Sequence, residues 1–162
     1  MRRSDWWTLG AIAGGLILLR VLFRGVVQPI RGGAWWSANK FVPGVHDGRD
    51  AFPGPKTAAG WPDATNAVVV SILPGVVVRT AHQDNGYWVL VDHGNGIQSR
   101  SGHLGSLAVK AGDVVKAGSH LGRLAGADVM NPPHLHFEIE LHGQLIDPAV
   151  WLLGQGASAV WI

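Results

Sequence analysis

In the segment NPPHLHFEIEL, Asn131 to Leu141, two histidines stand one residue apart and two glutamates follow at the same spacing. Alternate residues of an extended chain share a face, so His134, His136, Glu138 and Glu140 line one side of a strand. Leu135, Phe137, Ile139 and Leu141 line the other, which is an ordinary core face. The first side is too rich in imidazole and carboxylate for packing to explain, and it calls for a ligand. Two further centres lie upstream. GVHDGRDAF sets His46 and Asp50 four residues apart around Gly48, and SGHLG carries His103. The chain has no cysteine, which excludes disulfides and thiolate metal sites, so any metal must be held by histidines and carboxylates. His82, His120 and His142 stand alone in polar surroundings and read as surface residues.

Short apolar runs separated by turn residues must position these groups. AVVVSIL, VVVRTAH, YWVLVDH, HLHFEIELHG and QLIDPAVWL succeed one another from Ala67, with QDNG between the second and third as a hairpin turn. No segment here keeps a long 3.6-residue period except a brief helical turn at Pro148 to Leu153. The expected globular fold is all-β, mainly antiparallel, as a sandwich or partly open barrel. The 23 glycines and 9 prolines suit a fold with that many turns. Trp88 and Trp151 read as core residues and Trp61 as a groove residue.

The N-terminal stretch WWTLGAIAGGLILLRVLFRGVV, Trp6 to Val27, is of another kind. Trp6 to Leu19 carries no charge, and with Arg20 snorkelling about 18 residues make roughly 27 Å of helix, enough to span a hydrocarbon core. Residues 1–27 therefore read as a single-pass transmembrane anchor with Trp6 and Trp7 at one interface; a signal peptide fits less well because no clean cleavage site follows. Arginines flank both ends, so the charge bias does not fix the orientation. Residues 28–45 read as an irregular connector, with Trp35 and Trp36 close to the membrane, and residues 153–162 as a tail. A net charge of +2, with arginines clustered near the N-terminus and no basic run among aromatics in the globular part, suits an anionic membrane surface or cell-wall polymer better than nucleic acid, and no nucleic-acid partner is expected.

Together the H-x-G-x-D at His46 to Asp50, the H-L at His103 and the H-L-H-F-E at His134 resemble the lysostaphin-type zinc endopeptidases, the LytM-like M23 peptidase family. The resemblance extends to LPGVVV, GYWVLVDHGNG, VKAGDVVKAGSHLG and IDPAVWL, and spans residues 46–152. It implies a LytM-like domain in which His46, Asp50 and His136 bind Zn2+. In it His103 and His134 are the catalytic pair that moves protons and stabilises the oxyanion, and Glu138 orients a ligand imidazole. His93 matches a histidine often found in the family's central hairpin. Two positions depart from the pattern: Ser101 stands where the family often has tyrosine, and Asn131-Pro132-Pro133 replaces its usual Ser-Thr-Gly-Pro. Both are expected near the cleft, whose walls are expected at Gly54 to Asn66 and Ala125 to Pro133.

Taken with the N-terminal anchor, the resemblance implies a membrane-anchored metalloendopeptidase that cuts cross-links or stem peptides of bacterial peptidoglycan. Its setting is a bacterial envelope with the peptidase domain extracytoplasmic, or a membrane-containing phage virion used for entry or lysis, with envelope or virion assembly partners. The alternative is a peptidoglycan-binding or assembly module that uses the same groove without turnover.

Overall fold

The computed structural model describes residues 25–39, 41–157 and 160–161. The expected membrane anchor lies outside them save for its last three residues, and no helix among the described residues is long and apolar enough to cross a membrane. The chain runs β1 (Ala34–Trp36), β2 (Arg49–Phe52), β3 (Val68–Val70), β4 (Gly75–Gln83), β5 (Gly86–Gly94) and β6 (Ile97–Leu107). It continues through β7 (Val114–Val115), β8 (His120–Leu124), β9 (Leu135–Leu141), β10 (Gln144–Ile146), α1 (Pro148–Gly154) and β11 (Val160–Trp161). The sheet order is β11-β1-β2-β9-β6-β5-β4-β7, with β10 on β9 and the β3–β8 ribbon joined through β6. Every pairing is antiparallel except β1 with β11. The all-β antiparallel expectation holds, in the form of an open sheet.

Period-two alternation does the folding. On β9, Leu135, Phe137 and Ile139 are fully buried, and they join Val77, Val89 and Val91 of β4 and β5 in one core with Val69, Leu121 and Leu124 of the β3–β8 ribbon. Each such side chain contributes about 1.5–3 kcal/mol of apolar burial. With the inner face committed to that core, the polar residues of β9 must face outward. A slip of one residue in register would bury the histidines and expose the core set.

The ends of the chain hold more structure than their composition suggests. Residues 28–45, expected as an irregular connector, supply β1, and Ile30 bridges Val69 of β3. Trp36, expected close to the membrane, is buried in the core with its ring 6.2 Å from that of Phe137. The 153–162 segment, expected as a tail, supplies β11. The helical turn at Pro148 is α1, capped by Asp147, whose Oδ1 accepts from the amides of Ala149 and Val150. The other oxygen of Asp147 takes two hydrogen bonds from Arg49, at 3.1 and 2.9 Å, and so ties the helix to β2 beside Asp50.

Candidate metal centre

Strand β2 lies against β9 with Asp50 directly opposite His136. His46 reaches the same point from the turn before β2. The donor atoms of His46, Asp50 and His136 all lie within 4.8 Å of one another. His46 Nε2 and His136 Nδ1 each stand 3.3 Å from Asp50 Oδ1. Ligands at about 2.0–2.1 Å around a tetrahedral ion are separated by about 3.3–3.4 Å, so the spacing and the two-imidazole, one-carboxylate chemistry both fit zinc with one position left open. Gly48 is required by the same approach. A Cβ there would sit 2.7 Å from His136 Nε2 and 2.5 Å from the Phe137 carbonyl oxygen.

Glu138, the next outward residue on β9, is buried and holds the far side of His136. Its Oε1 is 3.3 Å from His136 Nε2, and its Oε2 accepts from Arg100 Nη1 at 2.8 Å. The carboxylate fixes a proton on Nε2, so the Nδ1 proton held toward Asp50 is the one that an incoming cation would displace. Burial alone would lower the His136 pKa, but hydrogen bonds to Asp50 and Glu138 outweigh it and raise it to about 9. Burial likewise works to raise Asp50, and its bond to His136 with the nearby His134 prevails and holds the carboxyl well below the usual range. The field that holds a proton on His136 is the field that favours a cation there.

His103 and His134 flank this cluster with ring centroids 5.0 Å apart. Both carry the proton on Nδ1, because each Nδ1 donates to a carbonyl: that of Asn85 at 3.0 Å and that of Pro132 at 2.7 Å. His134 Nε2 then lies 3.5 Å from Asp50 Oδ1. Burial pushes the His103 pKa down to about 4, against the pull of the Asn85 carbonyl, so the ring is neutral. Its backbone adopts φ 64°, a left-handed conformation that costs a non-glycine residue of order 1–3 kcal/mol and that clusters at functional sites.

Three neighbours escape a reading of the sequence. Trp88 is not a core residue: its ring lies 5.7 Å from His103 and 5.5 Å from His136, packed over Gly102, where a Cβ would meet it at 2.7 Å. Asn85 serves twice, since its side chain also accepts from Trp88 Nε1 at 2.9 Å. Arg100 steadies Glu138. Of the two departures, Ser101 is fully buried on the core face opposite Phe137 and Val89, away from the cleft, so its expected place is corrected. The Asn131-Pro132-Pro133 departure does reach the site, through the Pro132 carbonyl. Trp61 stacks on Phe52 at 4.2 Å, and Phe52 lies 5.7 Å from His134, which puts Trp61 one ring behind the site. His93 is tied away from it, to the Pro74 carbonyl and Ser99.

The family model described as Peptidase family M23 matches residues 56–148, more than half of the chain. The chain belongs to peptidase family M23. His46 and Asp50 precede the matched stretch, so their part in the site rests on the geometry above. The peptidoglycan DD-endopeptidase ShyA of Vibrio cholerae is 35% identical over 74 residues, 45% of this chain and 17% of that protein. The murein hydrolase activator EnvC of Escherichia coli is 36% identical over 77 residues, 48% of this chain and 18% of that protein. A peptidase M23 structure from Pseudomonas aeruginosa superposes with a TM-score of 0.63 at 26% identity, over 81% of this chain and 51% of that one. The chain thus spans less than a fifth of the length of the two curated relatives.

Proposed function

We propose that the chain is a zinc metalloendopeptidase that hydrolyses peptide bonds in the cross-links or stems of bacterial peptidoglycan. The observation that carries this reading is the convergence of His46 Nε2, Asp50 Oδ1 and His136 Nδ1 at zinc-ligand spacing beside two histidines oriented by backbone carbonyls. His46, Asp50 and His136 would hold the ion. Bound there, zinc supplies a Lewis acid that brings the pKa of a water to about 7 and polarises a scissile carbonyl. His103 and His134 are placed for the proton work: the ring whose Nε2 takes the proton of the attacking water becomes an imidazolium, which then stabilises the oxyanion and passes that proton to the leaving amine. Trp88 packs beside His103 and His136 and covers that flank of the site.

The apolar, tryptophan-led stretch Trp6 to Val27 supports a membrane tether for the peptidase domain. Similarity to a murein hydrolase activator favours a second reading, a groove that binds without turnover. Digestion of purified sacculi by the full chain with zinc, alongside His136→Ala and His103→Ala, separates the two. Catalysis requires that wild type release cross-link fragments, that His136→Ala lose metal and activity, and that His103→Ala keep metal and lose activity. A wild type that binds zinc and sacculi and releases nothing from walls of several chemistries establishes the binding module instead.

A further inference from the structure

The outward face beside the metal centre is laid out in rows by the strand register. One row runs Asp50, His136 and Gly102, with Ala81 opposite Trp88 further along. The adjacent row runs Glu138, Arg100, Leu90 and Arg79 across β9, β6, β5 and β4. Rows two residues apart on a strand are separated by about 6.6–6.8 Å, the length of two residues of an extended peptide. Arg79 stands three strand spacings from Glu138, about 14 Å. Between them opens a groove of about 290 Å³ lined by Arg79, Gln83, Trp88, Leu90, Arg100 and Glu138.

The charge in this groove is unbalanced. Glu138 is its single acid and is engaged by Arg100 and His136. Arg100 uses one of its guanidinium nitrogens on Glu138 and leaves the rest of its donors to the groove. Arg79 has no hydrogen bond or ion pair among the described residues and is exposed. A guanidinium presents a planar fork that matches a carboxylate, and a second guanidinium two strands away along the same row adds to the attraction. We infer that Arg79, together with Arg100, forms a specificity subsite for a free carboxylate on the bound peptide. The preferred substrate is therefore an acid-bearing stem peptide and not an uncharged glycine bridge. The inference rests on the peptidase reading above and names the substrate class of that site.

The test compares synthetic stem peptides that carry free carboxylates with the same peptides in amidated form and with pentaglycine. The zinc-loaded full chain is assayed on each for kcat and KM, and binding is measured separately by calorimetry. The expected result is a KM about tenfold lower for the acid peptides than for their amides, as loss of one charge-assisted hydrogen bond at an open site would give. Arg79→Gln raises KM for the acid peptides about tenfold and removes the preference, and Arg79→Lys retains part of it. Equal KM for acid and amide with turnover intact overturns the subsite and leaves the peptidase reading standing. Preferential binding of the acid peptides without cleavage of any supports the subsite and overturns the peptidase reading. Neither discrimination nor cleavage overturns both.

Discussion

Replacing Glu138 with glutamine tests whether the metal centre depends on a residue that does not itself reach the ion. The carboxylate accepts from two donors at once, His136 Nε2 at 3.3 Å and Arg100 Nη1 at 2.8 Å. Glutamine has one acceptor oxygen and one NH2 group, so it can satisfy only one of them and must turn a donor toward the other. The site is buried, and an unsatisfied polar group there costs about 1–3 kcal/mol. Its negative charge is also lost, and with it part of the field that favours a cation at His136. The expected outcome is a zinc affinity lower by about 10–100-fold, the usual range for loss of a carboxylate behind a ligand histidine. The assay is competition against a chromophoric chelator, with thermal melts of the metal-free protein to separate metal loss from unfolding. Glu140→Gln is the control, since Glu140 lies one repeat further along the same strand face and touches no ligand. If Glu138→Gln binds zinc within twofold of wild type while Glu140→Gln does the same, the brace has no hold on the ligand and the reasoning fails.

Other expectations follow from the same geometry. Gly48→Ala forces a Cβ against His136 and the Phe137 carbonyl oxygen, so zinc affinity falls more than tenfold and the melting temperature drops, measured by competition and calorimetry. Phe137→Ala empties a fully buried site and destabilises the domain by about 3–5 kcal/mol in denaturant unfolding. Asp147→Ala removes the helix cap of α1 and the anchor of Arg49, and costs about 1–2 kcal/mol by the same measurement, with zinc stoichiometry retained.

What the sequence reveals and what it hides divide along physical lines. Strand β9 is legible because a two-residue period separates apolar from polar positions so sharply that its register and both faces follow from composition. His46 and Asp50 are legible as a pair but not as neighbours of His136; that takes the β2–β9 pairing, an interaction between residues 86 apart in the chain. Trp88 is misread because Tyr87 to Val91 is apolar on both faces, so alternation carries no information there. Only the pairing with β4 and β6 shows which face meets the histidines. The short edge strands β1 and β11 carry too few residues to show any period. Asn85 and Pro132 act through backbone carbonyls, which no side-chain pattern announces.

Register explains why the chemistry sits where it does. The inward residues of β9 are held by burial worth several kcal/mol, and this fixes the outward ones without any interaction among themselves. The outward face can then spend its polar groups on function: Asp50 opposite His136, Arg100 opposite Glu138, and Arg79 in the same row as Arg100. The candidate metal centre and the groove are built from one face of one sheet and share their alignment, so under the proposed function a peptide laid along the groove would be positioned relative to the ligands by the strand spacing itself. It also follows that a core change on β9 such as Phe137→Ala, which touches none of the ligands, should weaken zinc binding only insofar as it loosens the β2–β9 pairing. Measured zinc affinity in core variants should therefore fall in step with stability, whereas in Glu138→Gln it should fall further than the loss of stability accounts for.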